Sequence, residues 1–137
     1  MEYGTVAQEG FYGLYHVPVK DHDPKKVVIV VGGSEGNDNI PMNVGAMFAR
    51  CGIAALGICY WNVDGLPKEL VRVPVDPFEK AILWLKNKGY EKASHILVPL
   101  NPSKLKMFKI ERQYPEDCRR SREDAFHKTI KWISEVK

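Results

Sequence analysis

The 137-residue chain lacks any apolar run near the ~20 residues that a bilayer-spanning helix needs. Met1-Glu2-Tyr3-Gly4 carries no basic segment leading into an apolar stretch, so no secretory signal is expected and a cytoplasmic location is. Cysteine is scarce. Cys51, Cys59 and Cys118 are scattered and odd in number, which excludes a disulfide scaffold and reads as reduced thiols. The glycines never take the spacing G-x-G-x-x-G, and no Gly-Lys-Ser/Thr occurs, so the dinucleotide and P-loop signatures are both missing. There is no internal repeat, low-complexity tract or linker, and 1–137 reads as one domain. His22 lies between Asp21 and Asp23, but in a turn with no second cluster, and no metal site is expected.

What is present is an ordinary globular composition, 45% hydrophobic and 27% charged, with a formal net charge of +3. The basic excess sits after residue 100, around Lys104, Lys106, Lys109, Arg112, Arg119, Arg120 and Arg122. Acidic residues are interleaved with it, so it reads as a solvated face. An anionic ligand such as a coenzyme A phosphate is the alternative, and nucleic acid is not expected.

Residues 3–8 and 11–19 are rich in β-formers around Glu9-Gly10 and predict an N-terminal hairpin. Val27-Val28-Ile29-Val30-Val31 is an unbroken β-branched run, the pattern of a parallel strand covered on both faces. It ends in Gly32-Gly33-Ser34-Glu35-Gly36-Asn37. A helix follows, with Pro41 near its start, Val44, Met47 and Phe48 inward, and Gly52 as its stop. Ile53 to Tyr60 is the next buried strand. Asp76-Pro77-Phe78-Glu79 opens a second helix as cap, first-turn proline and capping-box glutamate, with Phe78, Ala81, Ile82 and Leu85 inward. Strand, helix, strand, helix over 27–89 predicts an α/β unit with a right-handed parallel crossover. Residues 90–117 fit neither period. A last helix is expected near 118–136, capped by Ser121 and Asp124, with Phe126, Ile130 and Ile133 buried.

Gly32-Gly33-Ser34-Glu35-Gly36 matches the letters G-x-S-x-G after a strand, the pattern of a nucleophile elbow. In an elbow the helix begins at once, whereas Asn37 to Pro41 intervene here. A glycine-rich turn that aims backbone N–H groups at a developing oxyanion is the better reading for Gly32, Gly33, Ser34 and Glu35. A tight strand-to-helix turn without ligand is the plain alternative. Cys51 and Cys59 are potential thiol nucleophiles, but a helix end and a buried strand point to packing.

The chain resembles the α/β-hydrolase domain of the acyl-CoA thioester hydrolase / bile acid-CoA:amino acid N-acyltransferase family. The resemblance is carried by Gly32 to Gly36, Phe48-Ala49-Arg50-Cys51-Gly52, Tyr60-Trp61-Asn62 with Gly65-Leu66-Pro67, and Phe78-Glu79-Lys80-Ala81 with Trp84-Leu85. It resumes at Ser94-His95-Ile96-Leu97, Pro115-Glu116 and Glu123-Asp124-Ala125-Phe126. It implies a shortened α/β-hydrolase-like, mostly parallel sheet with the hairpin at one end and flanking helices. The family reaction is attack on a thioester carbonyl, formation of an acyl-enzyme, and transfer to water or an amine, without cofactor or metal. An acyl-CoA or other acyl ester is the implied ligand.

The resemblance has a gap. In the family, the helix after Phe78-Glu79 leads to the elbow strand, further strands and the acid, and only then to the histidine loop. Here Asn87 to Ala93 runs straight into Ser94-His95, as if about three βα units, roughly 90 residues, were missing. His95 lines up with the catalytic histidine, on what reads as a loop, with no identifiable nucleophile or acid. Asp64, Asp76 and Asp124 are acids on paper only. Three readings follow: an acyl thioester hydrolase or acyltransferase whose activity is lost or impaired, a non-catalytic acyl-CoA-binding or protein-interaction module, or an improvised Ser34–His95 dyad. The gap also leaves strand 27–31 as an open edge. A homodimer through that strand is expected, unless residues 94–100 cover it.

Overall fold

The computed structural model describes residues 1–97 and 112–136, with the backbone alone for residues 94–97. Two compact units form along the chain, residues 1–98 and 99–137. In the first, five strands make one sheet: β1 (Glu2–Gly4), β2 (Tyr12–His16), β3 (Lys26–Val31), β4 (Ala54–Cys59) and β5 (Lys92–Leu97). The helices are α1 (Val6–Glu9), α2 (Asn39–Arg50) and α3 (Asp76–Asn87). The strand order is β1-β2-β4-β3-β5. β4, β3 and β5 run parallel, while β2 is antiparallel to both β1 and β4. The fold is therefore mixed α/β with a mostly parallel sheet, as its apolar runs predict.

Those runs follow from burial on both faces. Along β3 and β4, Val27, Ile29, Ala54, Leu56 and Ile58 join Phe11, Tyr15 and Tyr90 against Ala81 and Leu85 of α3. The alternate residues Val28, Val30 and Ala55 are fully buried too, on the side taken by Val44 and Phe48 of α2. Gly57 shows how closely α2 is seated. A Cβ there would stand 2.6 Å from the Pro41 carbonyl oxygen and 2.9 Å from the Pro41 Cβ.

On the α3 face the aromatics interlock edge to face, Trp84 meeting Phe11 at 5.7 Å and Tyr15 at 5.3 Å between ring centroids. The Tyr15 and Tyr90 hydroxyls share a buried hydrogen bond. Burial, and then that bond, holds the Tyr15 phenol well above its ordinary pKa. Lys88 lies 4.2 Å over the Trp84 ring and pairs with Glu2 at 2.9 Å, tying β1 to the end of α3.

Several expectations are corrected. The predicted hairpin forms, but α1 interrupts it: Thr5 O accepts from the N–H groups of Gln8 and Glu9, and one helical turn results. Asp76 is the first residue of α3 and not its cap; Val75 holds that place, with no side-chain capping bond. Of the two fates for strand 27–31, the structure takes the second. β5 pairs with β3 from Lys26↔Lys92 to Val31↔Leu97, so the edge on which the homodimer was premised is occupied.

In the second unit, α4 (Pro115–Glu135) begins three residues earlier than expected. Proline at the helix start with Glu116 and Asp117 in the first turn makes a sufficient beginning. Ser121 and Asp124 are consequently interior, and Asp124 pairs with Lys128 at 2.7 Å. Arg119 bridges Glu116 and Glu123, both at 2.8 Å, so much of the described basic excess is matched along its own helix. Phe126 and Ile133 are buried, as the spacing predicts, while Ile130 is half-buried.

His16, at the end of β2, is 7% exposed and its Nε2 has no hydrogen-bond partner among the described residues. Its ring lies against α2, where a Cβ on Gly45 would come within 2.8 Å of Cδ2. Burial, and secondarily the chain's amino terminus, pushes its pKa below the usual 6.5.

Two measurements check this packing. Gly57→Ala should destabilise the fold by roughly 1–3 kcal/mol in urea denaturation, because α2 must lift from the sheet. The folded protein keeps His16 neutral, whereas the unfolded chain takes up its proton at the ordinary value. Unfolding free energy should therefore fall as pH drops below about 6.5, and His16→Leu should flatten that decline.

Candidate functional site

Chain direction places the glycine loop. β3 and β4 are parallel neighbours, so the loop after Val31 and the turn after Cys59 leave the sheet at the same end. That end, beyond the carboxyl termini of parallel strands, is where α/β sheets bind ligands. Gly32, Gly33, Ser34 and Glu35 form the loop there, with Gly33 and Ser34 exposed.

Tyr60-Trp61-Asn62, directly after β4, staples the loop from one side. The Tyr60 hydroxyl donates to Gly33 O at 2.9 Å and lies 3.3 Å from Gly32 O. Trp61 Nε1 donates to Gly33 O at 3.2 Å, and Asn62 Nδ2 to Gly36 O at 2.9 Å. Asn62 reaches back in a left-handed conformation, φ 54°, and its N–H donates to Pro67 O at 2.7 Å. Gly36 is needed beneath this staple. Its φ is 59°, and a Cβ would stand 2.8 Å from the Trp61 ring.

From within the loop, Glu35 folds back. The Gly33 N–H donates to both carboxylate oxygens, each at 2.9 Å. A Cβ on Gly32 would collide with Oε1, so the glycine admits the carboxylate. Asn37 continues the internal bonding: its Nδ2 donates to Glu35 O, and its Oδ1 accepts from the Asn39 N–H. A small crevice remains between Glu35, Asn37, Cys59, Tyr60 and Trp61.

The electrostatics of this end disfavour nucleophiles. Burial, then the charges of Asp38 and Glu35, pushes the Cys59 thiol up to about 12. Its Sγ donates to Asn37 O at 3.6 Å. Tyr12 donates to Asp38 Oδ2 at 3.2 Å, and burial with that carboxylate raises its phenol to about 12. Tyr60 is raised as well, by burial and then by Glu35. Each of these groups stays protonated near neutrality and serves as a hydrogen-bond donor.

The structure thus joins Gly32, Gly33, Ser34 and Glu35 in one loop. His95 falls elsewhere in the chain's geometry. Its backbone is inside β5, paired with Ile29, two residues before the end of β3, and not on the expected loop. Asp64 is exposed in the turn after β4, and Asp76 and Asp124 belong to helices. Among the described residues, no group of His, Cys, Asp or Glu could hold a metal ion. The fold-back of Glu35 and the three-residue staple were not predicted. An asparagine just past a buried strand, able to take a positive φ, was the available signal for the staple.

Comparison with known proteins found no matching family model, no similar curated protein and no similar solved structure.

The thiol environment has a direct readout. At pH 8 iodoacetamide should modify the exposed Cys51 in the folded protein and leave Cys59 unmodified, with Cys59 reacting only after denaturation. Peptide mapping by mass spectrometry decides it.

Proposed function

We propose that the protein is an acyl-thioester-binding domain of the α/β-hydrolase type, akin to the acyl-CoA thioester hydrolase / bile acid-CoA:amino acid N-acyltransferase family, with its hydrolytic or transfer activity lost or severely impaired. The observation that carries this reading is the stapled loop. Tyr60 and Trp61 take the carbonyls of Gly32 and Gly33 from one side, and this turns the Ser34 N–H, and the Gly33 N–H that Glu35 now occupies, away from them as donors for an acyl oxygen at the carboxyl end of β3. Tyr60-Trp61-Asn62, with Gly65-Leu66-Pro67, is the most specific part of the resemblance.

Two further features support it. β3 has β4 on one side, as the resemblance implies, and β5 stands where the elbow strand would be. The residues after β5, Val98-Pro99-Leu100-Asn101-Pro102-Ser103, contain no G-x-S-x-G. Ser34 lacks the immediate helix of an elbow, since Asn37-Asp38 separate the loop from α2. Cys59 is buried and held protonated. With no activated nucleophile among the described residues, the expected loss is about six powers of ten in rate, the scale seen when a triad nucleophile is removed. The site then binds an acyl thioester and does not cleave it.

The test uses octanoyl-coenzyme A and the full chain. Calorimetry should show saturable binding, while thiol release stays at the buffer rate. A serine-directed fluorophosphonate should add no mass. Turnover, or a mass gain, abolished by Ser34→Ala would replace this reading with a working Ser34–His95 dyad. Absence of any binding would exclude the acyl-CoA assignment altogether.

A further inference from the structure

Two carbonyls held on one side fix the direction of two amides on the other. The chain has no cis peptide bond among its described residues, and in a trans peptide the C=O and N–H point oppositely. Tyr60 faces the carbonyl oxygens of both Gly32 and Gly33. The N–H groups of Gly33 and Ser34, which belong to those same two peptides, are therefore both turned away from Tyr60. Consecutive amides arranged this way form an anion-binding concavity. One of them is occupied: the Gly33 N–H is bonded to both oxygens of Glu35, at 2.9 Å each. The Ser34 N–H has no protein partner among the described residues, and Ser34 is exposed.

We propose that this amide pair is a carboxylate-binding site held closed by the protein's own Glu35, so that an incoming carboxylate, or the polarised oxygen of an acyl group, binds only by displacing that side chain. The inference rests on the same loop as the functional proposal and adds its regulation. The carboxylate identity of the ligand follows from the group already seated. Glu35 is joined to Gly33 through a single intervening residue, so its effective concentration at the amide is high and a free anion competes poorly. Displacement is sterically simple. Gly32 and Gly33 present no side chain on that side, and the closest approach to a Cβ built on either is the Glu35 carboxylate itself. The staple on the other side keeps the amides in place once Glu35 leaves, because none of its three donors is bonded to Glu35.

The experiment titrates sodium acetate into the 15N-labelled full chain at constant ionic strength, with sodium chloride as the control, and follows the backbone amides. Glu35→Ala should show saturable shifts of the Gly33 and Ser34 amides, with an apparent Kd at least about tenfold lower than the wild type, the factor expected for loss of one charge-assisted competitor. Equal responses from the wild type and Glu35→Ala would overturn the proposal. So would a flat response from Glu35→Ala while its β3 amides and Trp61 indole resonance keep their wild-type positions. Chloride reproducing the acetate shifts overturns it too. If Glu35→Ala alters those marker resonances, Glu35→Gln decides, since it keeps size and an acceptor oxygen without charge. It should bind acetate more tightly than the wild type, and no gain overturns the inference. Acetate uptake by the variants without octanoyl-coenzyme A binding sinks the functional reading alone. Octanoyl-coenzyme A binding without acetate uptake sinks this inference alone.

Discussion

The seat of α2 on the sheet at Gly57 governs the geometry of the site. β4 has no side chain where Pro41 crosses it, so the helix packs at backbone distance. Pro41 lies near the start of α2, and the seat therefore fixes where the preceding loop must end. Asn37 and Asp38 are brought onto the sheet's end, where Cys59 donates to one backbone carbonyl and Tyr12 to the other residue's carboxylate. The loop from Gly32 is thus anchored at both ends, by β3 and by the first turn of α2. Only its middle remains to be shaped by local bonding.

That middle is shaped by donors that come from elsewhere in the chain. Tyr60, Trp61 and Asn62 lie more than twenty residues from the carbonyls they hold, and the parallel pairing of β3 with β4 brings them there. Burial beside a carboxylate raises phenols and thiols, so the same environment that makes Tyr12 and Tyr60 firm donors makes Cys59 a poor nucleophile. Oriented amides and protonated side chains give this loop hydrogen-bond donors for a polarised oxygen, while the carboxylates of Glu35 and Asp38 oppose added negative charge. The loop is unsuited to supplying an attacking anion.

Elements whose burial is two-sided were legible in the sequence, because burial on both faces leaves an unmistakable run of apolar residues. Val27–Val31 and Ile53–Tyr60 are of this kind, and both are strands within a residue or two of the expected limits. The inward stripes of α2 and α3 were legible for the same reason. What depended on local competition was not. Asp76 has the chemistry of a cap, yet the chain becomes helical at Asp76 itself, and no side chain caps its start. Thr5 begins a single turn that no periodicity signals, since four residues are too few to show one. The letters of the glycine loop were plain, but its state was not. That Glu35 turns inward depends on the absence of side chains at Gly32 and Gly33 and on carbonyls fixed from behind, and only the second of these needs the fold.

β5 illustrates a different limit. Lys92-Ala93-Ser94-His95-Ile96-Leu97 is neither alternating nor wholly apolar, and nothing in it announces a strand. Its place is set by what precedes it. After α3 covers one face, a right-handed crossover returns the chain parallel to β3, and the open ladder of β3 is there to be paired. That pairing uses backbone groups only, so it asks little of the side chains that arrive. A sheet of this order can close its ladder with a segment that its side-chain pattern does not mark as a strand. Architecture and reactivity are then separable in the same polypeptide, because the ladder beside β3 is completed whatever side chains β5 carries. The loop after β3 escapes this separation, because its amides are backbone groups as well, and whatever keeps the sheet in register keeps them aimed.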